Sequence, residues 1–313
     1  MSLNVSALSD FNNQTAGELL VKSVYAGSTM EYATIQEGVK YLEPINLFDV
    51  TLNIQNGTCV TTPSGSAIFT QRNLQVCPRT SFDSICLKDM DTKYLGITAL
   101  NRGSYNETFA LAQAYSDQLV KQFQKANDLF IWQQVSGSAS TFGGTCATDG
   151  LVRIISGSTT GVNVPAGFTG SFTTSTALDR MDAAIAALPS DVADRDDLTF
   201  FMSVANFRTY VSAVRAANNF YFDPNSIENR GNLLSMNYPY QNIKVVGTAG
   251  LNGSNRIVLG PAKQIVVGTD LMSDFSEFQL WYDINTDSLR HRIATKLGVN
   301  VAYPEFWVSN NQA

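Results

Sequence analysis

Two periods run through the chain. Apolar and polar residues alternate through Val50-Thr51-Leu52-Asn53-Ile54 and again through Ala67-Ile68-Phe69-Thr70-Gln71, the signature of half-buried strands. Thr61-Thr62-Pro63-Ser64-Gly65-Ser66 supplies turn formers between them. Leu74–Pro78 and Ser84–Leu87 continue the strand signal. Asn106–Gln133 then switches to the helical period: Leu111, Tyr115, Leu119, Phe123, Ala126 and Phe130 recur every three or four residues and share one face. Ser104 and Glu107 have the spacing of a capping box at its start. At a rise of about 1.5 Å per residue such a helix is a rod of roughly 40 Å. Two shorter helices follow. One buries Leu178, Met181, Ile185 and Leu188 and is stopped by Pro189; the other runs Asn206–Ala217 and buries Phe207, Tyr210, Val211 and Val214. Short strands are expected near 152–155, 170–173, 198–202, 243–246 and 257–259. In the first 48 residues the patches Ala16–Tyr25 and Thr34–Leu42 have helical spacing but are too short to build a core. A strand-rich stretch before the long helix and another after the two shorter ones suit an α+β fold.

The richest patterning lies between Ile257 and Val308. An apolar strand ends at Gly260-Pro261, and a second, Gln264–Val267, leads into the Gly268-Thr269-Asp270-Leu271 turn. The aromatic strand Phe278-Gln279-Leu280-Trp281-Tyr282 is followed by the turn formers Asp283-Ile284-Asn285-Thr286-Asp287. A long segment with Arg290, Arg292 and Lys296 among apolar residues ends in Tyr303-Pro304-Glu305. Successive strands separated by turn chemistry imply a compact sheet.

Composition narrows the function. At 313 residues the chain can bury a sizeable core and form two sub-domains. Charged residues are only 15% of the chain, so solubility rests on Asn, Ser, Thr and Gly, or surface is lost to partners. The net charge of −6 argues against a basic nucleic-acid grip; any DNA would be enclosed, not gripped. Cys59, Cys77, Cys86 and Cys146 lack C-x-x-C spacing, and there is one histidine, which removes the common zinc arrangements. Cys59 and Cys77 could bridge a hairpin, but reduced thiols are the expectation. The sequence shows no leader and no apolar run of the ~20 residues that span a bilayer, so a cytoplasmic, membrane-free chain is expected. The sequons at Asn13, Asn56, Asn106 and Asn252 follow from Asn/Ser/Thr richness.

The chemistry of catalysis is missing. His291 lies between Arg290 and Arg292, which lower its pKa and its worth as a base, and no G-x-S-x-G is present. Asp89-Met90-Asp91-Thr92-Lys93 puts a lysine where a calcium loop needs an acid. Asp191–Asp197 reads as a solvated loop between helix and strand, and Gly247, Gly250 and Gly253 as a flexible hairpin loop. The aromatics Phe220, Tyr221, Phe222, Tyr238 and Tyr240 have one basic neighbour, Arg230, and suit packing against sister chains better than base stacking. No catalytic, cofactor or metal residue is assigned.

In order and spacing the parts from Gly268 to Glu305 resemble the C-terminal region of tailed-bacteriophage major capsid proteins, the Johnson or HK-ninety-seven-like fold: a strand with an acidic turn, a Trp/Tyr strand, then a basic strand ending in Tyr303-Pro304-Glu305. The rest of the chain falls into that family's sequence of parts. The resemblance implies an N-terminal arm (1–48), an extended β-hairpin loop (49–95), a P domain with spine helix 106–133 (96–173), an A domain (174–272) and a closing P-domain sheet (273–313). It implies a structural subunit that assembles through pentamers and hexamers into an icosahedral shell around double-stranded DNA. The partners it implies are sister chains, a separate scaffolding protein, a portal and decoration proteins, with assembly in a host cytoplasm and residence in the virion. Arg290, Arg292, Lys296, Phe222, Tyr238 and Tyr240 are the candidate inter-subunit contacts. Some family members cross-link through a loop lysine; 49–87 has none, Lys88 and Lys93 lying at the base, so no covalent mesh is expected. The rival readings are an encapsulin-like cargo shell and an α+β enzyme or ligand-binding module.

Overall fold

The computed structural model describes residues 29–55, 57, 64–86, 107–137, 139–140, 144–145, 148–156, 161–217, 228–230, 233–239, 241–270, 279–283, 285–286 and 288–311. The strands in chain order are β1 (Thr34–Gln36), β2 (Leu42–Thr51), β3 (Ser66–Gln75), β4 (Cys77–Cys86), β5 (Ala139–Ser140), β6 (Gly144–Thr145), β7 (Leu198–Ser203) and β8 (Glu228–Arg230). They continue as β9 (Leu233–Asn237), β10 (Lys244–Thr248), β11 (Val258–Pro261), β12 (Ile265–Thr269), β13 (Gln279–Asp283), β14 (Ser288–Val301) and β15 (Val308–Ser309). The helices are α1 (Glu107–Gln133), α2 (Leu151–Ile154), α3 (Ala177–Ala186) and α4 (Val204–Ala217).

The basic segment of the C-terminal stretch is β14, and it organises one sheet. Its odd positions His291, Ile293, Thr295, Leu297, Val299 and Val301 are buried, while Arg290, Arg292, Ala294 and Lys296 face outward, as the period of two requires. On one edge β14 pairs with β12 and β13; on the other it pairs with β4 over ten residues, Ser288↔Cys86 to Leu297↔Cys77. The β3–β4 junction passes so close that a Cβ on Gly298 would overlap the Gln75 carbonyl. A second, six-stranded sheet runs β15-β11-β7-β10-β9-β8. Its central strand β7 is buried at every position, as expected of a strand covered on both faces. Phe200 and Met202 point into a core shared with Phe168, Met181, Phe207 and Tyr210, which α3 and α4 help to build. Phe201 points the other way, toward Phe130, Ile131 and Trp132 of α1 and the inner face of the β14 sheet.

These pairings revise several expectations. Residues 34–42 are not helical: β1 pairs in parallel with β12, Thr34 Oγ1 donates to the Lys263 carbonyl, and β2 starts at Leu42. Sheet contacts there override local spacing. Residues 151–154 form helix instead of strand, because Leu151 and Ile155, four apart, are the buried pair. Residues 170–173 form no strand. Gly247 lies within β10 and Gly250 in a buried turn, so this is no flexible hairpin loop. Cys77 is in a disulfide, against the expectation of free thiols, and its partner lies outside the described residues. Pairing also crosses the expected boundary at 272/273: β12 joins β14, whereas β15 joins β11. The capping Ser104 and the helical patch Ala16–Tyr25 lie outside the described residues.

Where α1 ends, its carboxylate Asp128 is 3% exposed and gathers donors from two other elements. Thr29 donates to Oδ1 from its Oγ1 (2.5 Å) and its backbone N–H (3.3 Å). Thr248 Oγ1 (2.5 Å) and the Gly250 N–H (2.6 Å) donate to Oδ2. Trp132 Nε1 donates to Thr29 Oγ1 at 2.7 Å, and a Cβ on Gly250 would overlap the Trp132 ring.

Candidate assembly interface

A ten-residue alternating pair makes a two-faced ribbon, and here only one face finds a core. Strands β2 and β3 pair from Leu42↔Gln75 to Thr51↔Ser66. At the root, Leu47 is buried and Ile45 packs on Val39, Leu74, Val76 and Val266. The Tyr303 hydroxyl donates to the Phe48 carbonyl at 3.2 Å and Asn300 Nδ2 to the Asn73 carbonyl at 2.7 Å, fixing the root to the end of the chain. Among the described residues the opposite parity has no cover. Phe48, Val50, Leu52 and Ile54 follow one another along one face, and the Phe69 ring packs against Phe48 at 4.5 Å between centroids, tilted by 34°. Phe48 and Val50 are about half exposed, Phe69 is 75%, Leu52 80% and Ile54 86% exposed. An exposed apolar stripe of this length marks an interaction surface.

The three basic candidates share the outer face of the β14 sheet but not one environment. Arg290 donates through Nη2 to Asp283 Oδ2 (3.0 Å) and Thr286 Oγ1 (3.2 Å). The backbone N–H of Asn285 first, and then the Thr286 hydroxyl and Arg290, hold the Asp283 carboxyl below the usual aspartate range. Lys296 is paired with Asp270. Arg292 is exposed, opposite Phe82 in the register, and Phe82 is 58% exposed with its ring 6.2 Å from that of Trp281. Two of the three bases are therefore engaged within the chain, and Arg292 with Phe82 and Trp281 is the outward patch.

Tyr238 is a correction. It is buried, its hydroxyl donates to Asp182 Oδ1 at 2.6 Å, and its ring stacks on Tyr210 at 6.1 Å, so its contacts are spent in its own core. Burial raises its pKa, with the Asp182 carboxylate adding to the rise. Phe222 and Tyr240 lie outside the described residues, as do Asp89 and Asp91. His291 sits on the inner face, away from its arginine neighbours. Burial is what lowers its pKa, the Asp83 carboxylate opposing, and Ser81 Oγ is 3.4 Å from Nε2. In the acidic loop Asp197 accepts two hydrogen bonds from Arg195, at 2.8 and 2.9 Å. Among the described residues no group of three His, Cys, Asp or Glu side chains could hold a metal ion, and no helix is long and apolar enough to cross a membrane. Sequence reasoning overlooked Asp128, although an acid four residues before Trp132 on the packed end of a helix is a signal for a buried polar junction.

No protein-family model matches the chain, and no curated protein matches it. Solved structures do. One is a chain of the satellite phage P4 procapsid, a structure that includes the size-determination (Sid) protein: 9% identity, 95% of this chain and 89% of that one covered, TM-score 0.53. The capsid of a native GTA particle aligns at 10% identity over 91% of this chain and 89% of the other, TM-score 0.51. A chain of Mycobacterium phage Adephagia aligns at 8% identity over 88% and 84%, TM-score 0.51. With nearly the whole chain aligned in each case, the protein has the fold of the tailed-phage capsid proteins, the HK-ninety-seven-like α+β fold.

Proposed function

We propose that the chain is the structural subunit of an icosahedral phage capsid, ringing into pentamers and hexamers that close around packaged double-stranded DNA. The observation that carries this reading is the hairpin: a rooted β2–β3 ribbon whose outer apolar face is left for another chain, on a subunit with a capsid fold. Burying that face on a neighbour gives each subunit an arm-in-arm contact, and many modest contacts close a stable shell.

In this reading residues 1–48 are the arm and 49–95 the extended loop, its root reaching back to Leu42. Residues 96–173 and 273–313 are the P domain, with α1 as its spine helix, and 174–272 the A domain, with β12 and β15 each pairing across that boundary. Arg292 contacts a neighbour directly, while Arg290 and Lys296 stiffen the face that presents it. A net charge of −6 suits a wall that encloses DNA without sequence-specific binding. The role is structural, and the site is the virion; a separate scaffolding protein, a portal and decoration proteins complete the particle.

Negative-stain microscopy of the purified protein across a concentration series tests the proposal. Rings, sheets or closed shells are expected. A monodisperse monomer at the highest concentration overturns it, and shells that carry a co-purifying enzyme in place of genome redirect it to a cargo compartment.

A further inference from the structure

The Asp128 junction is a buried polar tie between three parts of the subunit that otherwise meet mainly through the apolar core around Phe201. Asp128 and Trp132 belong to α1. Thr248 ends β10 of the six-stranded sheet, and Gly250 lies in the turn that follows it. Thr29 opens the segment that runs through β1 into the β14 sheet, from which the hairpin springs. A carboxylate near a helix C-terminus gains nothing from the helix dipole, and α1 has no basic residue in its last turn. Four donors account for its place there instead. The network is directional throughout: with its hydroxyl proton committed to Asp128, Thr29 Oγ1 can accept from Trp132 Nε1. Gln133 adds a second tie, donating from Nε2 to the Gly250 and Asn252 carbonyls at 2.6 and 3.0 Å. Apolar packing tolerates small slides between elements, whereas a buried polar network admits one arrangement.

We propose that Asp128 is a positioning residue for shell geometry: by riveting α1 to both sheets it sets the angle between the hairpin and the six-stranded sheet, and hence the curvature at which copies meet. This rests on the shell-subunit reading. In a closed particle the angle between a subunit's contact surfaces decides size and closure, so a loosened rivet changes the product while the subunit still folds.

The experiment compares particles of the full chain with those of Asp128→Asn and Thr29→Val. Asparagine turns an N–H toward the Gly250 N–H, leaving two donors face to face; valine puts a methyl in place of the Thr29 hydroxyl, removing one donor to Asp128 and the acceptor of Trp132 Nε1. Leu259→Ala serves as a control, since it weakens the core of the six-stranded sheet away from the rivet. Expected are folded subunits by circular dichroism, exchange at the Thr29 amide about tenfold faster in Asp128→Asn, equivalent to about 1.4 kcal/mol, and a shifted or broadened diameter distribution, or open sheets, in both variants. The control keeps the wild-type diameter. Unchanged diameters in both rivet variants overturn the proposal, as does an equal shift in the control. Should Asp128→Asn fail to fold, Thr29→Val decides alone. Failure of the shell reading itself looks different, because the wild-type chain then forms no particles.

Discussion

Replacing Leu52 and Ile54 together by serine should abolish assembly and leave the subunit intact. Both lie on the open face of the hairpin, 80% and 86% exposed, so little of either side chain contributes to the fold of its own chain. Complete burial of a leucine or isoleucine contributes about 1.5–3 kcal/mol. With some four-fifths of each still outside, a neighbour that covers the pair gains roughly 2.5–5 kcal/mol. Losing that raises the dissociation constant of one contact by roughly 60- to 4000-fold. The threshold concentration for assembly, read by light scattering and pelleting, should climb beyond practical range. The melting temperature of the dilute subunit should move by no more than about 2 °C, since surface substitutions stay within about 0.5 kcal/mol. Phe201→Ala supplies the contrast: fully buried between the sheets, it should cost about 3–5 kcal/mol and lower the melting temperature by roughly 6–20 °C. An unchanged assembly threshold in the serine variant would refute the reasoning, and so would a fall in melting temperature comparable to that of Phe201→Ala.

Three further outcomes are expected. Arg292→Glu should raise the assembly threshold without affecting subunit melting, because Arg292 is exposed, whereas Arg290→Ala should also loosen the β13–β14 turn that Asp283 and Thr286 hold; equal effects on melting would contradict the assignment. His291 has a folded pKa below its unfolded one, so the unfolded chain binds the proton more readily; stability should fall as pH drops below about 6.5, and His291→Gln should flatten that slope in melts at pH 7.5 and 5. Boiled, reduced particles should run as monomers on a denaturing gel, since 49–87 contains no lysine; a ladder of multimers would contradict this.

The sequence was most legible where one period extended over many residues. The segment containing Arg290 and Lys296 forms a 14-residue strand because its alternation is long enough to survive any context, and the helices at 177–186 and 204–217 carry full apolar faces. Short patches failed for a stated reason. Three residues at 34–36 become strand only because β12 lies beside them, and no local pattern contains that neighbour. Leu151 and Ile155 fit either period over so short a window, and packing against the end of α1 decides. Charge was misleading in a different way: a row of bases reads as an open contact surface until Asp270 and Asp283, distant or across a turn, are seen to engage two of them. By position Tyr238 belongs with a loop of aromatics, yet its N–H donates to the Ile243 carbonyl at the mouth of β9 and β10 and its ring enters the core. The exposed stripe of the hairpin was visible as alternation, but which parity would stay uncovered depends on what packs beneath its root.

The pairing of β4 with β14 has a bearing on when the subunit comes into being. Strand β4 ends at Cys86 and its partner does not begin until Ser288, and β15 completes the other sheet later still. At about 5–20 residues per second a ribosome needs roughly 10–40 s to supply the missing strand. Throughout that interval β4 has no β14 to pair with, the hairpin has no Tyr303 or Asn300 to root it, and the surface that would engage a neighbour is not yet formed. If the chain assembles as proposed, this delay would keep nascent chains on one message from joining before the hairpin is rooted. In the proposed shell, competence to assemble would come only once β14 and β15 have been made.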